Sequence, residues 1–170
     1  MGAYISGRGA VMKNRKIPGE EGQGLRVRMF GGFAVEYKGE NLNLTRLKGT
    51  KALQLLILLF LAGDIGMAKK DLIYNLYREE DGVDLNRNLN NVLYRLKKYL
   101  VSLGITEEVI VLEHGFLRMR TALPVRLDVR EFETGVKEAE RLAGDERAQV
   151  LEAALLLYRG ELLPELPAEL

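Results

Sequence analysis

The 170-residue chain is expected to adopt an α+β fold: a small N-terminal antiparallel β-meander, three helices and a β-hairpin, followed by an α-helical hairpin. Three observations predict it. LRVRMF (25–30) and FAVEY (33–37) alternate apolar and polar residues, the period of half-buried strands. Residues 45–102 change to helical spacing, interrupted by breaks rich in glycine and acid. VIVLEHGFLRMR (109–120) returns to alternation on both sides of Glu113-His114-Gly115, as a hairpin with a short turn does.

The elements follow in order. Residues 1–24 hold six glycines, a proline and the basic KNRK with no apolar period, so a flexible leader is expected. Gly31-Gly32 breaks the first strand, KGEN turns after the second, and LNL (42–44) is expected as a third. Thr45 to Gly63 reads as a helix that is apolar nearly all round from Leu53 onward, hence buried on more than one side, with Gly63 as its stop. Lys69 to Arg78 is a second helix with Leu72, Ile73, Leu76 and Tyr77 at core spacing. EEDGVD (79–84) is an acidic turn whose Asp84 is placed to cap a third helix running to about Ser102, which Gly104 ends. After the β-hairpin, Pro124 breaks the pattern. Residues 128–143 and 146–159 then read as two amphipathic helices around Gly144-Asp145. Phe132, Val136, Ala139 and Leu142 are expected to face Val150, Leu151, Ala154, Leu155 and Tyr158, as in one unit of a helical repeat. One such hairpin buries little alone, so beyond LLPELPAEL either a further helix pair or a partner is expected on its face. The expected units are a leader (1–24), a first domain (25–121) and the helical hairpin (122–170).

Composition narrows the function classes. With 47% hydrophobic and 29% charged residues, the chain is an ordinary globular one. The absence of cysteine removes disulfides, thiolate nucleophiles and cysteine-based zinc sites, and fits a reducing cytosol. No nucleophile–base pairing can be drawn from a single histidine, His114, and no GxxxxGK[ST] loop is present. Neither enzymatic activity nor a cofactor is therefore expected. The longest apolar run, LLILLFLA (55–62), is far short of the roughly 20 residues of a spanning helix, and the N-terminus lacks a signal-peptide core. A cytoplasmic protein without a membrane partner is expected. The net charge of +1 is unevenly spread: +2 over residues 1–24, +4 over 25–120 and −5 over 121–170. That asymmetry suggests two units with different partners.

The third helix is the informative segment. NRNLNNVLYRLKKYL (86–100) contains four asparagines, which helix propensity does not favour. At about 100° per residue, Leu85, Leu89, Val92, Leu93, Leu96, Leu100 and Leu103 share one face. Arg87, Asn91, Tyr94 and Lys98 fall on the opposite face, flanked by Asn90 and Arg95. No acid occurs between Asp84 and Glu107. A solvated face usually mixes Glu with Lys, because such pairs support the helix. A face shown to phosphate excludes carboxylates. Arg reads guanine and Asn reads adenine by paired hydrogen bonds, while Lys and Tyr fix register on phosphates. The bland alternative is a polar outer face that happens to lack acids. The order helix, helix, acidic turn, helix, β-hairpin is that of a helix-turn-helix followed by a wing. His114 at the hairpin tip and Arg118 and Arg120 on one strand face suit a wing against the groove or backbone. A plain structural hairpin with a solvated arginine edge fits the same residues.

The succession LRVRMFGGFAVEYKGE, LKGTKALQLLILLFLAGD, KKDLIYNLY, RNLNNVLYRLKKYL and the HGF wing resembles the winged-helix effector domain of OmpR-type response regulators. With REFETGVKEAERLAGDERAQVLEAALLLYRGELLPEL it resembles the SARP (antibiotic regulatory protein) family, in which an OmpR-like winged helix precedes a TPR-like bacterial transcriptional activator domain. The resemblance covers about residues 25–166. It implies a transcription activator that binds double-stranded DNA at promoter direct repeats, associates with further copies of itself there, and recruits RNA polymerase. Carried onto this sequence, Arg87, Asn91, Tyr94 and Arg95 stand at DNA-contacting positions, with His114 to Arg118 as the wing. Glu79, Glu80 and Asp81 lie in the loop that touches polymerase in relatives. Set against the family, the sequence is expected to lack a receiver domain before the winged helix and to show only the first helical hairpin of the activator domain, and its recognition helix is richer in Asn and poorer in Arg. A protein-interaction module that uses the winged helix and acidic hairpin without DNA is the competing expectation.

Arg95→Ala is expected to weaken binding to specific DNA by about 1–3 kcal/mol. An unchanged gel-shift midpoint for the folded variant would remove Arg95 from the interface.

Overall fold

The computed structural model describes residues 24–78, 84–105, 109–120 and 124–166. Among them β1 (Leu25–Arg28) pairs antiparallel with β2 (Ala34–Tyr37), Val27 opposite Val35, and β2 pairs with β3 (Glu40–Asn41). The third strand therefore lies just ahead of the expected LNL. The Asn43 side-chain oxygen accepts the Thr45 N–H at 3.1 Å, a turn that ends the strand. Leu44 and Leu47 then enter the core around a 3-10 turn, Thr45–Leu47.

The first long helix starts later than its apolar pattern suggested. Gly49 adopts φ +70°, and the Thr50 side chain accepts the Leu53 N–H at 3.3 Å, capping α1 (Lys51–Ala62). Its buried residues Leu53, Leu55, Leu56, Ile57, Leu59 and Phe60 occupy more than one side, as expected of a central helix. Gly63, at φ +59°, ends it. A strand not foreseen, β4 (Met67–Ala68), leads into α2 (Lys69–Tyr77). Asp84 accepts the Arg87 N–H at 3.0 Å and caps α3 (Leu85–Ser102). The hairpin β5 (Ile110–Glu113) and β6 (Phe116–Met119) takes β4 on the free side of β6, giving a three-stranded sheet. Gly66 allows this approach, since a Cβ there would lie 2.5 Å from the Leu117 carbonyl oxygen.

β7 (Val125–Leu127) runs parallel to β1, with Val27 opposite Leu127. Residues expected in the second unit thus add a strand to the sheet that β1 begins. α4 (Asp128–Ala139) and α5 (Gly144–Leu155) form the helical hairpin, both shorter than expected. They approach closely where a Cβ on Gly135 would lie 3.0 Å from that of Ala154. Leu155 and Tyr158 do not line this contact as expected. Leu155 is 61% exposed. Tyr158 follows the end of α5 and packs edge-on against Phe30 at 5.2 Å, as Phe132 does at 5.4 Å.

The helical hairpin is fastened to the rest of the fold by polar contacts as well. The Asp128 carboxylate accepts the Met29 N–H at 2.9 and 3.0 Å and the Phe30 N–H at 3.1 Å. Arg130 donates to the Leu61 carbonyl at 2.8 Å, at the C-terminal end of α1. The chain after α5 returns to the same place, with Leu163 N–H donating to the Met29 carbonyl at 2.9 Å and Leu163 buried.

Met29 is fully buried, so truncating Asp128 leaves its N–H without a partner. Asp128→Ala is expected to cost about 1–3 kcal/mol, read as a lowered urea midpoint. An unchanged midpoint would show that water replaces the carboxylate.

Candidate nucleic-acid interface

α3 is held by its apolar side and shows its polar side. Leu89, Leu96 and Leu100 are buried, with Leu85, Val92, Leu93 and Leu103 partly so. Tyr99 donates its hydroxyl to the Asn43 carbonyl at 2.6 Å, pinning the helix to the end of the meander. The Lys51 ammonium donates to the Leu76 carbonyl and lies 5.3 Å from the centre of the Tyr77 ring, fixing the end of α2. Arg87, Asn90, Asn91, Tyr94, Arg95 and Lys98 are all exposed, Tyr94 by 65% of its surface. This is the stripe laid out by the helical wheel, and α3 contributes no carboxylate to it.

A residue that sequence reasoning missed joins this stripe to the wing. Lys69, the first residue of α2, donates its ammonium to the Asn90 side-chain oxygen at 3.2 Å. Its backbone N–H donates to the Gly115 carbonyl at 3.1 Å. His114 and Gly115 have φ of +51° and +81°, the left-handed pair of a tight two-residue hairpin turn. The start of α2, the exposed His114 turn and the second turn of α3 therefore meet at one residue. The signal available beforehand was the Lys69-Lys70 pair opening a helix beside an acid-free one.

Arg118 is placed differently. Its guanidinium is ion-paired with Glu113, which also lies 3.5 Å from Arg120. These residues line a cleft with Asp64 and Arg130, and none of the residues lining that cleft belongs to α3. The structure brings His114 toward α3 and leaves Arg118 on a separate surface. Glu79, Glu80 and Asp81 lie outside the described residues. Among the described residues, no group of three or more His, Asp or Glu side chains is arranged to hold a metal, and no helix is long and apolar enough to cross a membrane.

No protein-family model matches the chain, and neither does any curated protein. Among solved structures, Mycobacterium tuberculosis EmbR in complex with a low-affinity phosphopeptide matches over 82% of this chain, with a TM-score of 0.63 and 21% identity. The chain has an EmbR-like fold. The match spans 37% of that structure's chain, and at this identity the likeness is one of fold. It supports the mixed α and β fold expected from the sequence.

Lys98 stands at the end of the exposed stripe, farthest from the wing. Lys98→Ala is expected to weaken binding to all DNA sequences alike and to lower the salt slope by about one unit. A loss confined to particular sequences would mean that Lys98 contacts bases.

Proposed function

We propose that the protein is a sequence-specific DNA-binding transcription regulator of SARP type that inserts α3 into the major groove. The observation that carries this reading is the exposed, acid-free face of α3, flanked by Lys69 and the His114 turn. Arg95 and Asn91 are suited to base edges, and Arg87, Tyr94 and Lys98 to phosphates. The SARP-like fold shared with EmbR supports the same role. Within this reading the protein is an activator rather than an enzyme and works in the cytoplasm. Glu79, Glu80 and Asp81 are the candidate contact to RNA polymerase, and copies associate on direct repeats.

One observation favours a second reading, a protein-interaction module that does not bind DNA. Leu155, Leu156 and Leu162 are exposed on the helical-hairpin side, Leu156 by 78%. Isolated apolar residues are common on surfaces, but several close in sequence suit a protein partner.

Salt separates the two. Fluorescence anisotropy of a mixed duplex pool is expected to show binding that falls steeply as salt rises, because neutralised phosphates release counterions. No binding at low salt by folded protein would favour the protein-interaction module.

A further inference from the structure

Lys69 is not simply another cation beside the helix. A lysine ammonium can only donate, so the side-chain atom of Asn90 that faces it must be the oxygen. The contact fixes which way the Asn90 amide is turned. Its NH2 group is directed away from Lys69, and the ammonium polarises the amide and strengthens those protons as donors. No such contact is present at Asn91, one position along the helix, among the hydrogen bonds of the described residues.

This difference matters for base reading. Adenine is recognised by an amide that offers oxygen and NH2 together, to N6–H and N7. Guanine offers two acceptors, N7 and O6, and thymine offers O4. The oxygen keeps a second lone pair, but an ammonium beside it repels the N6–H donor that adenine brings, so the amide presents its donors first.

We propose that Lys69 is a specificity-determining positioning residue that turns Asn90 into a donor, so that Asn90 selects a guanine or thymine edge over adenine. The inference rests on the DNA-binding reading above. The Lys69 backbone bond to Gly115 does not depend on the side chain, so a substitution that removes the ammonium leaves the wing turn attached. Lys69 is itself half-buried at the head of α2, where methionine preserves the aliphatic stem.

The test is selection of bound sequences from a random duplex pool by the full chain, as wild type, Lys69→Met, Asn90→Ala and the double variant. Each is first checked for an unchanged circular dichroism melt. Asn90→Ala identifies the base pair that Asn90 reads. At that pair the wild type is expected to disfavour adenine, and Lys69→Met to shift the preference toward adenine by about tenfold. The double variant is expected to match Asn90→Ala at that position. A Lys69→Met protein that keeps the wild-type preference, or loses affinity uniformly with a lower salt slope, overturns the proposal and leaves DNA binding intact. So does an Asn90→Ala protein with unaltered preferences. Wild-type protein that enriches no sequence overturns the DNA-binding reading, and the proposal with it.

Discussion

The carboxylate of Asp128 is the contact on which the arrangement of the two halves depends. It sits at the start of α4 and accepts the backbone N–H groups of Met29 and Phe30, at the end of the strand that also carries β2 and β7. Buried backbone donors need partners, and here the partner comes from the first turn of another helix. The acid is favourable at a helix N-terminus as well, so one group serves both elements. With this contact made, Phe30 lies between Phe132 and Tyr158, and Arg130 reaches the C-terminal carbonyls of α1. The helical hairpin is thus part of the winged helix's own packing.

A similar economy fixes α3. Its apolar face is fastened to α1, and Tyr99 anchors its later turns to Asn43. The polar side chains on the other face carry little packing duty and stay exposed. A helix held this way can present amides and cations at fixed positions, which a mobile loop could not do as accurately. Because the wing turn meets α2 through Lys69, the hairpin tip inherits the same frame.

What could be read from the sequence was whatever follows from local periodicity and end signals. The α3 cap at Asp84, its buried and exposed faces and the His114-Gly115 turn are all local, and they stand where the pattern placed them. The elements that escaped are short and depend on partners distant in sequence. β4 is two residues long and exists because β6 lies beside it; β7 is three and exists because β1 does. Neither has enough alternation to show a period. α5 ends earlier than its pattern suggests because Tyr158 continues the helical spacing while packing against Phe30. In the candidate interface, the stripe on α3 was legible from one helix, but the Lys69–Asn90 contact joins positions 21 residues apart and needed the fold. The pairing of Arg118 with Glu113 was hidden for a related reason. On a hairpin, a cation three positions beyond the turn can meet an acid just before it, which a count of charges along one strand does not reveal.

The parallel pairing of β7 with β1 bears on how the protein could be divided. A fragment ending after the wing would keep every helix that faces the proposed groove, yet it would strip β1 of a neighbour and leave the Met29 N–H unmet. An open strand edge of this kind accepts whatever strand is offered, including β7 from another molecule. Exchange of that strand and its attached hairpin between two copies would produce an intertwined dimer, the usual outcome when an identical element can dock in either chain. The smallest unit that keeps β1 paired on this edge and the Met29 N–H met therefore extends past the β5–β6 hairpin through Asp128.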